Sequence, residues 1–284
     1  MPHCYRHPDR ETGRACTRCG RPACGECLVQ ATVGSHCLDC AKAAQPDLKT
    51  RAQLASSRLL TPVTYVLIGL NLLVFLWMSA LDSRVLGGNV TEAHADLGLS
   101  KNILQGMVWN WDQTGAIPEH QWYRLVTSGF IHFGVFHIAM NMLLLYQLGM
   151  LLERALGGTK LTMMYFASLL SGSLGVLLVD SGGLTGGASG AVFGLMAGAA
   201  VGLHRRGVNV FSTGIGTTLL LNLVLTFSIK GISVGGHVGG AIGGALCGFV
   251  MLAPAWKPLP RWSAYAAPLA LAVGSLAASV AIVA

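Results

Sequence analysis

Charged residues divide this chain into long apolar runs. Segments free of Asp, Glu, Lys and Arg span residues 59–81, 125–152, 161–179, 181–203, 207–229, 231–256 and 262–284. Each reaches the ~18–20 residues that a helix needs to cross the hydrocarbon of a bilayer. The pattern therefore predicts seven transmembrane helices, with the third and fourth parted only by Asp180 and a Gly-rich turn. The polar stretch before residue 59 predicts no cleavable signal peptide, so the first apolar run is expected to act as a signal anchor. Between the first two runs, residues 82–124 form a long connection carrying Trp109, Trp111 and Trp122. A connection of this length usually has structure or function of its own, and its Trp residues suit a membrane interface. Residues 43–58 read as a polar linker.

Composition sharpens this picture. The chain of 284 residues is 52% hydrophobic and only 11% charged, with a mean hydropathy of +0.57. Soluble domains carry about 25% charged residues. Most of the 37 glycines sit inside apolar runs, where they let helix backbones approach closely. The net charge of +7 forms no basic stripe interleaved with aromatics, which argues against nucleic-acid binding. Its distribution encodes orientation instead. With the N-terminus in the cytosol, inner segments hold fifteen Lys and Arg and outer segments four, as the positive-inside rule requires. The C-terminus is then outside, and the expected location is the plasma membrane.

Seven of the eight cysteines fall in the first 40 residues. They form the pairs Cys4-x2-His7, Cys16-x2-Cys19, Cys24-x2-Cys27 and Cys37-x2-Cys40. Eight ligands in four such pairs are enough for two structural Zn2+ ions, each held tetrahedrally. Few large apolar residues accompany them, so metal would supply most of the folding free energy. Sequential and cross-braced pairing both remain open, and His36 could replace a ligand. Eight protein ligands leave no open coordination position for catalysis. Residues 1–42 resemble the B-box and treble-clef class of zinc modules, which implies a cytosolic protein partner. Cys247, alone in an apolar run, is expected to be helix packing.

Polar side chains inside a membrane are costly and mark functional sites. His137 and Asn141 lie near the start of the second run, Ser189 near the start of the fourth in Gly187-Ala188-Ser189-Gly190, and His237 near the start of the sixth. Under the derived orientation all three helices run inward, so these residues share a depth below the outer surface. Gly190, Gly194, Gly198 and Gly202 recur every four residues, as do Gly236, Gly240, Gly244 and Gly248. Two such stripes predict that the fourth and sixth helices touch, bringing Ser189 to His237. Histidine is the usual base that activates a serine nucleophile. Backbone N–H groups at a helix start and the side chains of His137 and Asn141 could stabilise an oxyanion. Phe193, one turn below Ser189, is expected to pack on the base. Asp180 is expected only to end a helix, so the constellation reads as a dyad.

These motifs resemble the signatures of rhomboid intramembrane serine proteases: Gly187-Ala188-Ser189-Gly190, His237-x2-Gly240-x3-Gly244 and His137-x3-Asn141. Trp122-Tyr123-Arg124 is similar to the family's Trp-Arg motif, with Tyr123 intervening. The resemblance covers roughly residues 59–256, and the last run resembles the family's six-plus-one form. It implies an all-α polytopic membrane protein: a six-helix core at 59–256, a seventh transmembrane helix at 257–284, and the zinc module at 1–42 before them. It further implies cleavage of single-span membrane proteins near the outer end of their spans, without a cofactor. Ser189 would be the nucleophile, His237 the general base, and His137 and Asn141 oxyanion donors supported by Gly187. His132 would be a structural hydrogen-bonder near the surface, the first outer loop an interfacial structure, and the fifth helix a gate for substrate. Two other readings compete. A catalytically inactive client-binding relative would have lost the serine or histidine, and this chain keeps both. An ion-coupled carrier would need intramembrane carboxylates, and Asp180 at a boundary is the sole candidate.

Overall fold

The computed structural model describes residues 1–31, 34–43, 61–106, 120–179 and 182–283. Nearly all of the predicted linker, together with Trp109, Trp111 and Asp180, lies outside the described residues. The chain divides into two compact units, Met1–Leu60 and Thr61–Ala284.

The first unit is built on turns. Strands β1 (Leu28–Gln30) and β2 (Ser35–Cys37) pair antiparallel, with Leu28 opposite Cys37 and Val29 opposite His36. Helix α1 (Leu38–Ala43) follows. Its buried hydrophobic cluster consists of Cys4, Ala23 and Cys27, far too little apolar area to offset the chain entropy of ordering such a segment.

The second unit is helical. Helices α2 (Pro62–Leu81), α6 (Val135–Leu156), α7 (Gly158–Val179), α10 (Val234–Met251) and α11 (Ser263–Val283) are each long and apolar enough to cross a membrane. Between α2 and α6 the described loop holds three short helices, α3 (Glu92–Leu97), α4 (Lys101–Leu104) and α5 (Arg124–Thr127). The fourth and fifth apolar runs give shorter helices than predicted, α8 (Ser189–Arg205) and α9 (Ile215–Ser228). At 14 residues, α9 is about 21 Å long, short of the ~30 Å hydrocarbon core. The described residues before α8, 182–188, stay non-helical because their backbone finds partners elsewhere. Thr185 and Leu99 exchange N–H···O bonds of 2.9 and 2.8 Å, and Ser100 Oγ donates to the Gly182 carbonyl. Irregular backbone is tolerated at membrane depth where the protein satisfies it.

Helix α7 is the central element: 61% of its apolar window is buried within the protein, against 22% for α11. The glycine stripes of α8 and α10 do meet, with Gly240, Gly244 and Gly248 against the backbones of Gly190, Gly194 and Gly198. Gly202 packs instead on the Leu252 side chain. A third helix joins this seam. A Cβ on Gly172 of α7 would lie 2.9 Å from the Gly236 carbonyl and 3.4 Å from Gly190 Cα, so α7, α8 and α10 converge without intervening side chains. Ser171 of α7 and Ser275 of α11 share a hydrogen bond of 3.1 Å, and Cys247 is buried in α10.

One carboxylate departs from the charge-based boundaries. Glu153, expected just beyond the second span, is buried inside α6. It accepts from Val63 N at 3.0 Å, Thr64 N at 2.8 Å and Thr64 Oγ1 at 2.6 Å. These are donors of the first turn of α2, which have no intrahelical acceptor. A buried anion is tolerable when its oxygens are saturated in this way and face a helix N-terminus.

Candidate active site and candidate metal centres

Ser189 is the first residue of α8, and His237 lies in the first turn of α10. The Gly190–Gly240 crossing brings them together, with Ser189 Oγ 2.8 Å from His237 Nε2. Phe193 stacks on the imidazole, ring centroids 4.1 Å apart at 18°. Ser233 caps α10 by accepting from Gly236 N at 2.9 Å, which sets where the helix carrying His237 begins.

Gly187 has φ of +134°, a conformation that glycine alone adopts readily. A Cβ there would also sit 2.9 Å from His137 Nε2, so the missing side chain lets that ring lie beside the serine. His137 Nδ1 accepts from Phe133 N at 3.2 Å. Its hydrogen is therefore on Nε2, the atom on the Gly187 side. Asn141 donates one amide hydrogen to the His137 carbonyl at 2.9 Å, leaving a second available. Both line a cavity of about 500 Å³ shared with Ser189 and His237. Ser189, Gly190 and Ala191, the first residues of α8, line the same space, and the first N–H groups of a helix have no intrahelical acceptor.

His132, expected near the surface, is fully buried. Its Nε2 accepts from Ala188 N at 3.4 Å, holding the residue before Ser189. His94 was not anticipated. Its Nδ1 accepts from Thr91 N, so its Nε2 donates to the His132 carbonyl at 3.1 Å. Its ring stacks on Phe133 at 4.6 Å, and burial holds its pKa below the ordinary imidazole value. Arg124, also buried, braces the same loop through the carbonyls of Ala95 and Gly98 and through Gln121. Tyr123 donates to the Asp96 carbonyl. The described part of the first loop is thus tied to the serine's approach. A polar residue spaced for a capping box, Thr91-x2-His94, was the available signal for His94.

In the N-terminal unit the four ligand pairs combine first with third and second with fourth. Cys4, His7, Cys24 and Cys27 form one cluster and Cys16, Cys19, Cys37 and Cys40 another, the ligand atoms of each within 4.8 Å of one another. This is the cross-braced alternative. His36 joins neither cluster and instead sits in the β1–β2 ladder. Cys19 Sγ and Cys37 Sγ are 3.7 Å apart, and His7 Nδ1 is 3.4 Å from the sulfurs of Cys24 and Cys27. Thiolates at ~2.3 Å from a tetrahedral zinc stand about 3.8 Å apart, so the donor sets fit such an ion. Burial opposes ionisation of Cys4, yet hydrogen bonds from the backbone of Cys24, Arg6 and His7 bring its pKa down to about 6. Cys16 falls to about 6 by the same balance. Burial and the neighbouring thiols push Cys27 up to about 11, whereas Cys40 reaches about 12 chiefly through its bonds to Cys19 and Cys37. Hydrogen bonding to His7 also lowers the Cys24 pKa, and a divalent cation held by either cluster would displace the protons of its remaining thiols.

The class of protein is a helical membrane bundle with a half-buried Ser–His pair under a cavity. Sequence comparison then shows what the chain is similar to. Residues 119–254 match the family model described as the rhomboid domain. Rhomboid protease GluP of Bacillus subtilis (strain 168) is 30% identical over 179 residues, 61% of this chain and 32% of its own length. RHOMBOID-like protein 4 of Arabidopsis thaliana is 32% identical over 169 residues, 57% of this chain and 42% of its own. Inactive RHOMBOID-like protein 8 of the same plant is 29% identical over 135 residues, 46% and 36%. Just under half of this chain is thus similar to the rhomboid domain, and its long apolar helices make it a multi-pass membrane protein. It spans about a third to two-fifths of the length of these relatives.

Proposed function

We propose that this protein is an intramembrane serine endopeptidase that cuts single-span membrane proteins with a Ser189–His237 dyad. The observation that carries this reading is the 2.8 Å hydrogen bond between Ser189 Oγ and His237 Nε2 beneath an open cavity. His237 takes the hydroxyl proton as Ser189 attacks the scissile carbonyl, then returns it to the leaving amine. The developing oxyanion is met by His137 Nε2–H, by the free amide hydrogen of Asn141 and by the N–H groups that open α8. Water for deacylation enters through the cavity. Relatives named as a protease and as inactive bracket this proposal. Cleavage of a model single-span substrate in liposomes, together with fluorophosphonate labelling of Ser189, tests it. A folded protein that neither labels nor cuts is a client-binding relative instead.

The proposed orientation has the N-terminus in the cytosol of a plasma-membrane protein, on the strength of the fifteen-to-four basic bias. In sealed inverted vesicles external protease should then digest residues 1–42; protection of that segment sinks the assignment.

Residues 1–42 are proposed to hold two Zn2+ in a purely structural role. Purified protein should contain two zinc ions per chain, one per cluster. Cross-bracing makes a specific forecast: Cys24→Ser empties the site containing His7 while Cys16, Cys19, Cys37 and Cys40 keep theirs. Elemental analysis returning undiminished zinc in Cys24→Ser contradicts it. Proteolysis by the membrane unit is expected to survive chelation, since no metal enters the dyad chemistry.

A further inference from the structure

The ring nitrogen of His237 that faces away from Ser189 has a partner of its own. Thr226 Oγ1, on α9, lies 2.7 Å from His237 Nδ1 and 2.7 Å from the Asn222 carbonyl oxygen. A hydroxyl carries one proton, and a carbonyl offers only lone pairs. Two oxygens 2.7 Å apart need that proton between them, so Thr226 donates to Asn222. It then presents a lone pair to His237, and the hydrogen of that contact belongs to Nδ1. A neutral imidazole has one N–H. Nε2 is therefore bare where it meets Ser189 Oγ at 2.8 Å, the tautomer able to accept the serine proton.

We propose that Thr226 is a positioning residue for His237, fixing its tautomer and ring plane. It fills the geometric part that a carboxylate plays in a Ser-His-Asp triad. Two further observations support this. Thr226 is 2% exposed, and with Gly216 it is one of the two buried residues of α9, so the contact is not an accident of a generally buried helix. The Asn222 side chain does not compete, because its amide donates to the Thr218 carbonyl. A neutral hydroxyl also avoids the desolvation cost that a carboxylate would meet at this depth. Phe193 restrains one face of the ring by stacking, and Thr226 restrains its rotation. The inference rests on the Ser189–His237 reading above.

The full-length protein in detergent tests it through Thr226→Val, which keeps the shape and removes the oxygen, and Thr226→Ser, which keeps the hydroxyl. Val should lower kcat about 10-fold, the worth of one buried hydrogen bond, with KM unchanged, and Ser should restore most of the loss. Nitrogen-15 spectra of histidine-labelled Ser189→Ala protein, assigned by the signal lost in His237→Gln, provide a readout independent of turnover. They should show His237 protonated at Nδ1, and a tautomer mixture once Thr226→Val is added. An unprotonated Nδ1, or a Val variant with unchanged kcat and unchanged spectrum, overturns the inference and leaves the dyad standing. Absence of fluorophosphonate labelling in the wild type instead overturns the dyad, and the spectra still decide the Thr226–His237 bond. If Thr226→Val fails to fold, the Nδ1 state with Thr226 and Thr226→Ser decides.

Discussion

Ser189→Ala and His237→Ala are each expected to reduce cleavage of a single-span substrate by about 10⁴-fold or more, to background in a gel assay. Nucleophile and base act as a unit, so removing either costs nearly as much as removing both. The double variant should accordingly be no slower than either single one. Folding should be preserved in both cases, because both side chains border the open cavity rather than the closed core. Ser189 contributes one hydroxyl at the rim of the cavity, and His237 is only partly buried. Thermal unfolding in detergent should place Ser189→Ala within about 1 kcal/mol of wild type, the usual scale for losing one hydrogen bond, and His237→Ala within about 3 kcal/mol, since it gives up two hydrogen bonds and the stack on Phe193. A fluorophosphonate probe reports on both roles. Ser189→Ala loses labelling because the acceptor atom is gone, whereas His237→Ala loses it because the serine is no longer activated. Robust cleavage by either variant would remove the dyad from the mechanism.

The second large effect concerns the seam that holds the dyad together. Gly244→Ala adds a single methyl to α10, and its Cβ would meet the O, C and Cα atoms of Gly194 well inside van der Waals contact. Those are backbone atoms of the facing helix and cannot swing aside, so α8 and α10 must separate. Overpacking of this kind costs about 3 kcal/mol or more. It should also lengthen the Ser189–His237 contact, because both residues ride on the separating helices. Gly274→Ala in α11 is the matched control. A Cβ there meets nothing within 4 Å, and the substitution improves helix propensity by up to ~1 kcal/mol. Melting temperature and fluorophosphonate labelling should therefore fall together for Gly244→Ala and hold or rise for Gly274→Ala. Equal behaviour of the two would mean that the seam is looser than its contacts imply.

Much of this is legible in the sequence. Four-residue glycine spacing marks which faces of α8 and α10 can approach, and the reactive side chains sit at the ends of those faces. The part played by α7 was harder to see. Its cluster of Ser171, Gly172, Ser173 and Gly175 is a small-residue patch of the same kind, but it lacks the regular period that made the other two stripes legible. Helix lengths depart from the charge-free runs where backbone partners lie far away in sequence. Nothing near Thr185 announces that Leu99 will pair with it, so a charge-free run reads as helix although its first residues are not. Glu153 was misjudged for a related reason. A carboxylate is assumed to end a buried span unless donors from another helix are waiting for it, and those of Val63 and Thr64 are about ninety residues away.

The sequence by itself determined the properties that depend on residue type and local period. These are a membrane-embedded helical unit, a separate cysteine-rich unit with ligands for two metal sites, and the candidates for nucleophile, base and oxyanion donors. Tertiary structure decided what depends on which distant groups meet. It selected cross-braced over sequential pairing of the cysteines, started α8 at Ser189, buried His94 and His132 beneath the approach to the serine, and brought Thr226 to the far nitrogen of His237. The division has one physical cause. Burial preference and helical periodicity are carried by neighbouring residues, whereas hydrogen-bond partnership between separate segments is settled only when close packing leaves each buried polar group a single place to go.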